Sequence, residues 1–365
     1  MVHRLPLSTL LSQVLVAFTI EFDNEFEHRV PHRTANFGGS RPDPYLVSMV
    51  MWLMVLRYVP EQGVTAGELK HQSGLSKKQL RQLLERLSKW WGYVTIHPAA
   101  NQPESAWIVR PTAGGLRAIA VWRDLTAIIE QRWHERFGHD STRDLIQALE
   151  AVANQLHPDM PDYLPILGYE LKNHISEYSS SPLLADNQSC SLPILLSRIL
   201  LSLAIEFETE ADFSLALYAN FLRIAAEQEV RVKDIPRLSG VSKEATAMAL
   251  DRLQKLGLAE VKNESSASRF KGVAVNAEGR DMAAACARHL HMIENRWQER
   301  FGAVHITRLR ASLESVIQAE STEGPTLLMQ GIAPYPDNWR AMVPPREILP
   351  HYPMVLHRGG YPDGS

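Results

Sequence analysis

Apolar residues recur at helical spacing from the start of the chain: Leu7, Leu11, Val14, Phe18 and Phe22 share one face, after Pro6 in a position suited to a first turn. A second helix is predicted over "YLVSMVMWLMVLRYV" (Tyr45 to Val59). "TAGELKHQSG" then opens on Thr65 with Glu68 three residues later, the capping-box spacing, and Gly74 ends that short helix. Ser76 caps a further helix running through Trp90. "YVTIHPAANQPESAWIVRP" has two extended flanks around a polar tip and reads as a hairpin. A long helix follows "TAGG", with Leu125, Ile129, Trp133 and Phe137 as its apolar stripe and Gly138 as its stop. "STRDLIQALEAVANQ" is a last, shorter helix.

The same order then recurs. Pro193, Leu196, Ile199, Leu203 and Phe207 repeat the first stripe, and "DFSLALYANFLRIAA" repeats the second helix. "SGLSKKQLRQLLERL" (from Ser73) meets "SGVSKEATAMALDRL" (from Ser239) at a shift of 166, while "RWHERFG" (from Arg132) meets "RWQERFG" (from Arg296) at 164. Upstream, "IEF" at Ile20 meets "IEF" at Ile205 at a shift of 185, so the first copy holds about 19 more residues early on. In the second copy "LAEVKNESSASRFKGVAVN" is the hairpin and "NAEG" opens the long helix, with Met282, Cys286, Ile293, Trp297 and Phe301 as its stripe and Gly302 as its stop. Collinear copies of this length predict two similar domains fused in tandem, over residues 1–175 (with an insertion at 27–44) and 192–323. A serine-rich linker at 176–191 joins them, and a proline-rich tail at 324–365 carries enough aromatic residues to dock along the folded body.

Two short helices joined through "SGLS" form a helix-turn-helix pattern, the glycine supplying the positive φ of the reversal. With the hairpin as a wing, the "PTAGG" or "NAEG" exit and the long helix behind it, residues 5–160 and 192–320 resemble the MarR family of winged helix-turn-helix transcription regulators. The resemblance implies a mainly α fold with small β-wings, and in that family two chains dimerise through their first and last helices. Here both halves of such a dimer would lie in one chain, as an intramolecular pseudo-dimer with the twin phrase ending equivalent helices. It also implies double-stranded DNA as partner, transcriptional regulation, most simply repression, and a small-molecule effector between the long helices and a reading head.

The charge distribution narrows where DNA would be met. The 365 residues carry 38 basic against 41 acidic side chains, so any basic surface is local. Helical geometry turns Leu80, Leu83, Leu84 and Leu87 inward and leaves Lys77, Lys78, Gln79, Arg81 and Gln82, behind Ser76, facing out as the first reading surface. The second copy offers fewer cations, Lys243 with Thr246 on its helix and Arg269 and Lys271 on its wing. The family's Asp-x-Arg wing tip is missing, since the first wing reads "NQPESAW" and the second "SASRFKG". Unequal halves predict an asymmetric site. The rival reading is a degenerate winged-helix module that binds another protein without sequence-specific DNA binding.

Outside the reading heads, the insertion gathers His28, Arg29, His32, Arg33 and Arg41, first of all a solvated basic loop and otherwise a candidate anion or ligand site or a clamp on Glu25 or Glu27. Pro31 between the histidines spoils helical metal-ligand spacing, and no metal or cofactor is expected. Trp133 and Trp297 fall on apolar stripes and read as core. Cys190 and Cys286 are the only cysteines, too few for a disulfide framework, which suits a reducing cytoplasm. No phosphate loop, HExxH or nucleophile elbow suggests an enzyme, and no apolar stretch has the length of a membrane span.

Overall fold

A computed structural model of the chain describes residues 4–30, 48–89, 91–98, 100–156, 160, 162, 191–211, 213–263, 271–321, 324–337, 341 and 347–352. It is mainly helical, with two small antiparallel sheets of three strands. The first half comprises α1 (Leu7–Arg29), α2 (Ser48–Met54), β1 (Val64–Thr65), α3 (Ala66–Ser73), α4 (Lys77–Lys89), β2 (Val94–His97), β3 (Ile108–Pro111), α5 (Ala113–Phe137) and α6 (His139–Ala153). The second half repeats that order as α7 (Leu192–Glu210), α8 (Leu215–Ala225), β4 (Val230–Arg231), α9 (Ile235–Ser239), α10 (Lys243–Lys255), β5 (Ala259–Asn263), β6 (Lys271–Val275), α11 (Ala277–Phe301) and α12 (Ala303–Ile317). A single turn of helix, α13 (Leu327–Gly331), belongs to the proline-rich tail.

Local chemistry accounts for most of the boundaries. Thr65 and Glu68 form the reciprocal capping box on α3, and Gly74 leaves it at φ +65°. Gly240 repeats that exit at φ +78° after α9. Thr112 and Asn276 cap the two long helices by accepting the amides of Gly115 and Gly279. The expected second helix is shorter than its apolar run: α2 ends at Met54 and a 3-10 turn covers Leu56–Tyr58, while Tyr45 to Val47 lie outside the described residues. Pro60 disfavours helical backbone at Val59, which closes the run. In each sheet the hairpin gains a third, two-residue strand: Val64 pairs with Val109, and Val230 with Val273.

The halves pack through four helices. α1 lies on α7 and α6 on α12, and each half's first helix also lies on the other's last, α1 on α12 and α7 on α6. α1 is buried almost throughout, which explains its weak amphipathicity. The helix starts are reciprocal too. Glu294 of α11 accepts the Leu7 amide that opens α1 (3.2 Å), and Glu130 of α5 accepts the Leu192 amide that opens α7 (2.7 Å). The two carboxylates differ in support: Arg310 reaches Glu294 at 3.0 Å, whereas burial pushes the Glu130 carboxyl upward and the Leu192 amide only partly opposes it.

The twin phrase has a structural cause. The Trp133 indole donates to Glu21 (3.0 Å) and Arg136 grips the same carboxylate with two bonds (2.7 and 2.8 Å). Trp297 donates to Glu206 (2.9 Å), with Arg300 at 3.2 Å. One turn on, Arg132 holds Glu25 and Arg296 holds Glu210. Each Arg-Trp-x-x-Arg thus reads the two carboxylates of its own half's first helix, and such a carboxylate gives the buried indole N–H the acceptor that buried tryptophans usually find. The tryptophans are core residues, as their stripes predict. Gly138 and Gly302 (φ +88° and +93°) turn each long helix directly into the next.

Candidate nucleic-acid interface

Behind the Gly74 turn, Ser76 starts α4, and its hydroxyl accepts the Gln79 amide at 3.2 Å. Gln79 reaches back to the Ser76 amide at 3.0 Å and is only 2% exposed, so it completes a capping box and does not face outward as predicted. Ser76 is likewise buried, its hydroxyl spent on the cap. Lys77, Lys78 and Arg81 are exposed on the first turns of the helix, and Gln82 is half-buried beside them. Leu80, Leu83, Leu84 and Leu87 form the inner face as expected.

The hairpin of β2 and β3 takes a path its sequence does not reveal. After Pro103 it makes a 3-10 turn, Glu104–Ala106, that folds back onto α3. A Cβ on Gly67 would stand 3.0 Å from the Ser105 carbonyl oxygen, so the glycine permits this approach. The turn aims Glu104 at the exposed cations: its carboxylate lies 3.2 Å from Lys77 and 3.9 Å from Arg81. The acidic wing tip was visible in "NQPESAW"; the fold-back that brings it to α4 was not.

In the second half Ser242 caps α10 through the Ala245 amide, and Lys243 is exposed at its first turn. Thr246, predicted to meet DNA, is 2% exposed. It lies on the face shared with Ala249, Leu250 and Leu253, where helical periodicity turns it inward. Lys271 is exposed at the start of β6, and Arg269 lies outside the described residues. The tail touches this half: Asn220 of α8 accepts the amides of His351 and Tyr352 (3.0 and 3.1 Å) and donates to the Tyr352 carbonyl (3.1 Å). A cleft of about 470 Å3 lies nearby, lined by Glu229, Arg231, Asp234, Arg237 and Gly272, none of them from a long helix.

The His28–Arg33 cluster resolves in part as a clamp. Arg29 holds Glu25 one turn back, and Tyr335 of the tail donates to the same carboxylate while its ring stacks on His28 at 4.0 Å. His32 and Arg33 lie outside the described residues. Burial alone would raise the Glu25 carboxyl, but hydrogen bonds from Tyr335, Arg132 and Arg29 together outweigh it and bring it down to about 2. A depressed folded value means stability that is present above the ordinary 4.5 and lost as pH falls toward 2. Tyr335→Phe, which removes one donor, is expected to move the acid-unfolding midpoint to higher pH in a circular-dichroism titration; an unchanged midpoint would contradict this account.

Among the described residues no group of three or more His, Cys, Asp or Glu is placed to hold a metal, and no helix is long and apolar enough to cross a membrane. Burial pushes the Cys286 thiol up to about 12, so it stays protonated, and Cys190 lies outside the described residues. No protein-family model matches the chain, and no curated protein matches it in sequence.

Proposed function

We propose that the chain is a single-chain pair of MarR-like winged helix-turn-helix units, bounded as the repeat divides them, that binds double-stranded DNA and represses transcription in the cytoplasm. The observation that carries this reading is the exposure of Lys77, Lys78 and Arg81 on the first turns of α4, directly behind the Gly74 reversal. A helix offered by its N-terminal end, with cations there, suits base edges and phosphates in a major groove. The reciprocal packing of α1, α6, α7 and α12 supports the intramolecular pseudo-dimer. The unequal heads, acidic at one wing and poor in cations on the other helix, support an asymmetric site.

The test is duplex binding by the intact protein at two salt concentrations, beside a variant with Lys77, Lys78 and Arg81 all changed to alanine. The parent is expected to weaken steeply with salt. The variant should bind more weakly, with a salt slope shallower by roughly 0.9 for each phosphate it no longer neutralises. Glu104→Gln, measured alongside, should bind more tightly because no carboxylate then competes for Lys77 and Arg81.

A second reading has an observation of its own. Glu104 already partners two of those cations, as a surface meant for another protein would tolerate and one meant for phosphate would not. Equal affinities of parent and triple variant would favour this protein-interaction module.

A further inference from the structure

The cleft of about 470 Å3 in the second half has a counterpart place in the first, and the internal repeat shows how the two diverged. Strand pairing fixes the correspondence: Val64 opposite Val109 in β1 and β3 matches Val230 opposite Val273 in β4 and β6. On that register Glu229, Arg231, Asp234, Arg237 and Gly272 stand where the first half has Gly63, Thr65, Glu68, His71 and Ile108. In the first half the place is closed and its polar groups are engaged. A Cβ on Gly63 would lie 3.0 Å from the Ile108 side chain, the Thr65 amide and hydroxyl bond the Glu68 carboxylate, and the turn Glu104–Ala106 lies on α3. In the second half Gly272 takes away the Ile108 side chain, and a Cβ there would lie 2.5 Å from a Glu229 carboxylate oxygen. Arg231 in place of Thr65 ends the capping box, and Asp234 makes no cap hydrogen bond.

Each wall of the cleft carries one acid and one base. Glu229 and Arg231 are two residues apart at β4 and share a side, with Val230 between them turned into the core. Asp234 and Arg237 are three apart at the start of α9 and share its face, beside the apolar Leu238. Among the described residues neither Glu229 nor Asp234 has an ion-pair or hydrogen-bond partner. Arg237 pairs with Glu347 of the tail at 3.2 Å, but the two side chains are 62% and 65% exposed, and such a pair is readily exchanged. We propose that this cleft binds a small zwitterion of the α-amino acid class, its ammonium on Glu229 and Asp234, its carboxylate on Arg237 and Arg231, and an apolar side chain over Leu238. The volume is of the size that holds a small molecule, roughly 300–1,000 Å3. A ligand with a single charge would leave the rim charges of its own sign without a partner, so the mixed rim selects for both charges together. The proposal does not depend on DNA binding.

The test titrates the full chain, labelled with 15N-glycine and free of DNA, with three probes and follows the Gly272 amide by NMR. The probes are L-leucine, L-leucinamide, which lacks the carboxylate, and N-acetyl-L-leucine, which lacks the ammonium. L-leucine is expected to move the Gly272 signal saturably, and each analogue to bind at least about tenfold more weakly, as the loss of a charged hydrogen-bonding group implies. Asp234→Asn should weaken L-leucine by a similar factor. Glu347→Gln should tighten it, because the tail then no longer competes for Arg237. No saturable shift with L-leucine, equal binding of either analogue, or an Asp234→Asn chain that binds as the parent does would each overturn the site. A Glu347→Gln chain that binds no more tightly than the parent would overturn the placing of the carboxylate on Arg237.

Discussion

Replacing Arg136 by alanine is expected to destabilise the chain by about 3–5 kcal/mol, whereas the same change at Arg300, its counterpart in the twin phrase, is expected to cost less than about 1 kcal/mol. The difference is burial. Glu21 and Arg136 have side-chain exposures of 4% and 19%, and two parallel bonds join them. Removing the guanidinium leaves a carboxylate in the core with, among the described residues, only the Trp133 indole bonded to it. Glu206 and Arg300 are 25% and 56% exposed, so water can replace the missing partner. Gly331 adds to the first case, since a Cβ there would lie 2.0 Å from an Arg136 nitrogen, so the tail packs tightly over the pair. Urea unfolding of both single variants decides the matter, and equal costs would refute the burial argument.

The second large effect concerns the exit from the first hairpin. A Cβ on Gly115 would stand 2.0 Å from the Tyr93 carbonyl oxygen, a distance no side-chain rotation can relieve. That carbonyl also accepts the Thr112 amide at 2.9 Å, and the Tyr93 amide donates to Leu87 at the end of α4. Gly115→Ala must therefore push the start of α5 away from α4 and β2, with an expected loss of about 3 kcal/mol or more. Its neighbour is the control. A Cβ on Gly114 would meet nothing nearer than the Thr112 hydroxyl at 3.6 Å, so Gly114→Ala should be neutral or stabilise by up to about 1 kcal/mol through helix propensity. Thermal melts of the two variants that coincide would show that the close approach is not what selects glycine. Gly279, facing Val275 and the Leu258 carbonyl, repeats the constraint in the second half.

What could be read from the residues alone was whatever is decided within a turn or two of chain. Thr65 with Glu68, the Gly74 and Gly240 exits, the Thr112 and Asn276 caps and the leucines of α4 all follow from local hydrogen bonding and periodicity, and the structure has each of them. Gln79 was legible in the same way, because Ser76-x-x-Gln79 is itself a capping box, although a polar side chain on a reading helix suggests an outward face. Thr246 was equally within reach, three residues before Ala249 and seven before Leu253 on the inner face. The role of the twin phrase was not, since Glu21 and Trp133 are 112 residues apart and nothing local links them. The two-residue strands β1 and β4 are too short to show alternation. The approach of Glu104 to Lys77 depends on a wing that bends back, which a hairpin pattern cannot specify.

The reciprocal starts of α1 and α7 carry a consequence for how such a molecule can change. Because Glu294 begins the helix of one half and Glu130 that of the other, cutting the chain at its middle would leave two fragments that each lack a piece of the other's scaffold. Joined covalently, they are made in equal amounts and meet without diffusion. In an assembly of identical subunits every substitution strikes twice; here it strikes once, and one half is free to drift while its neighbour stays as it was.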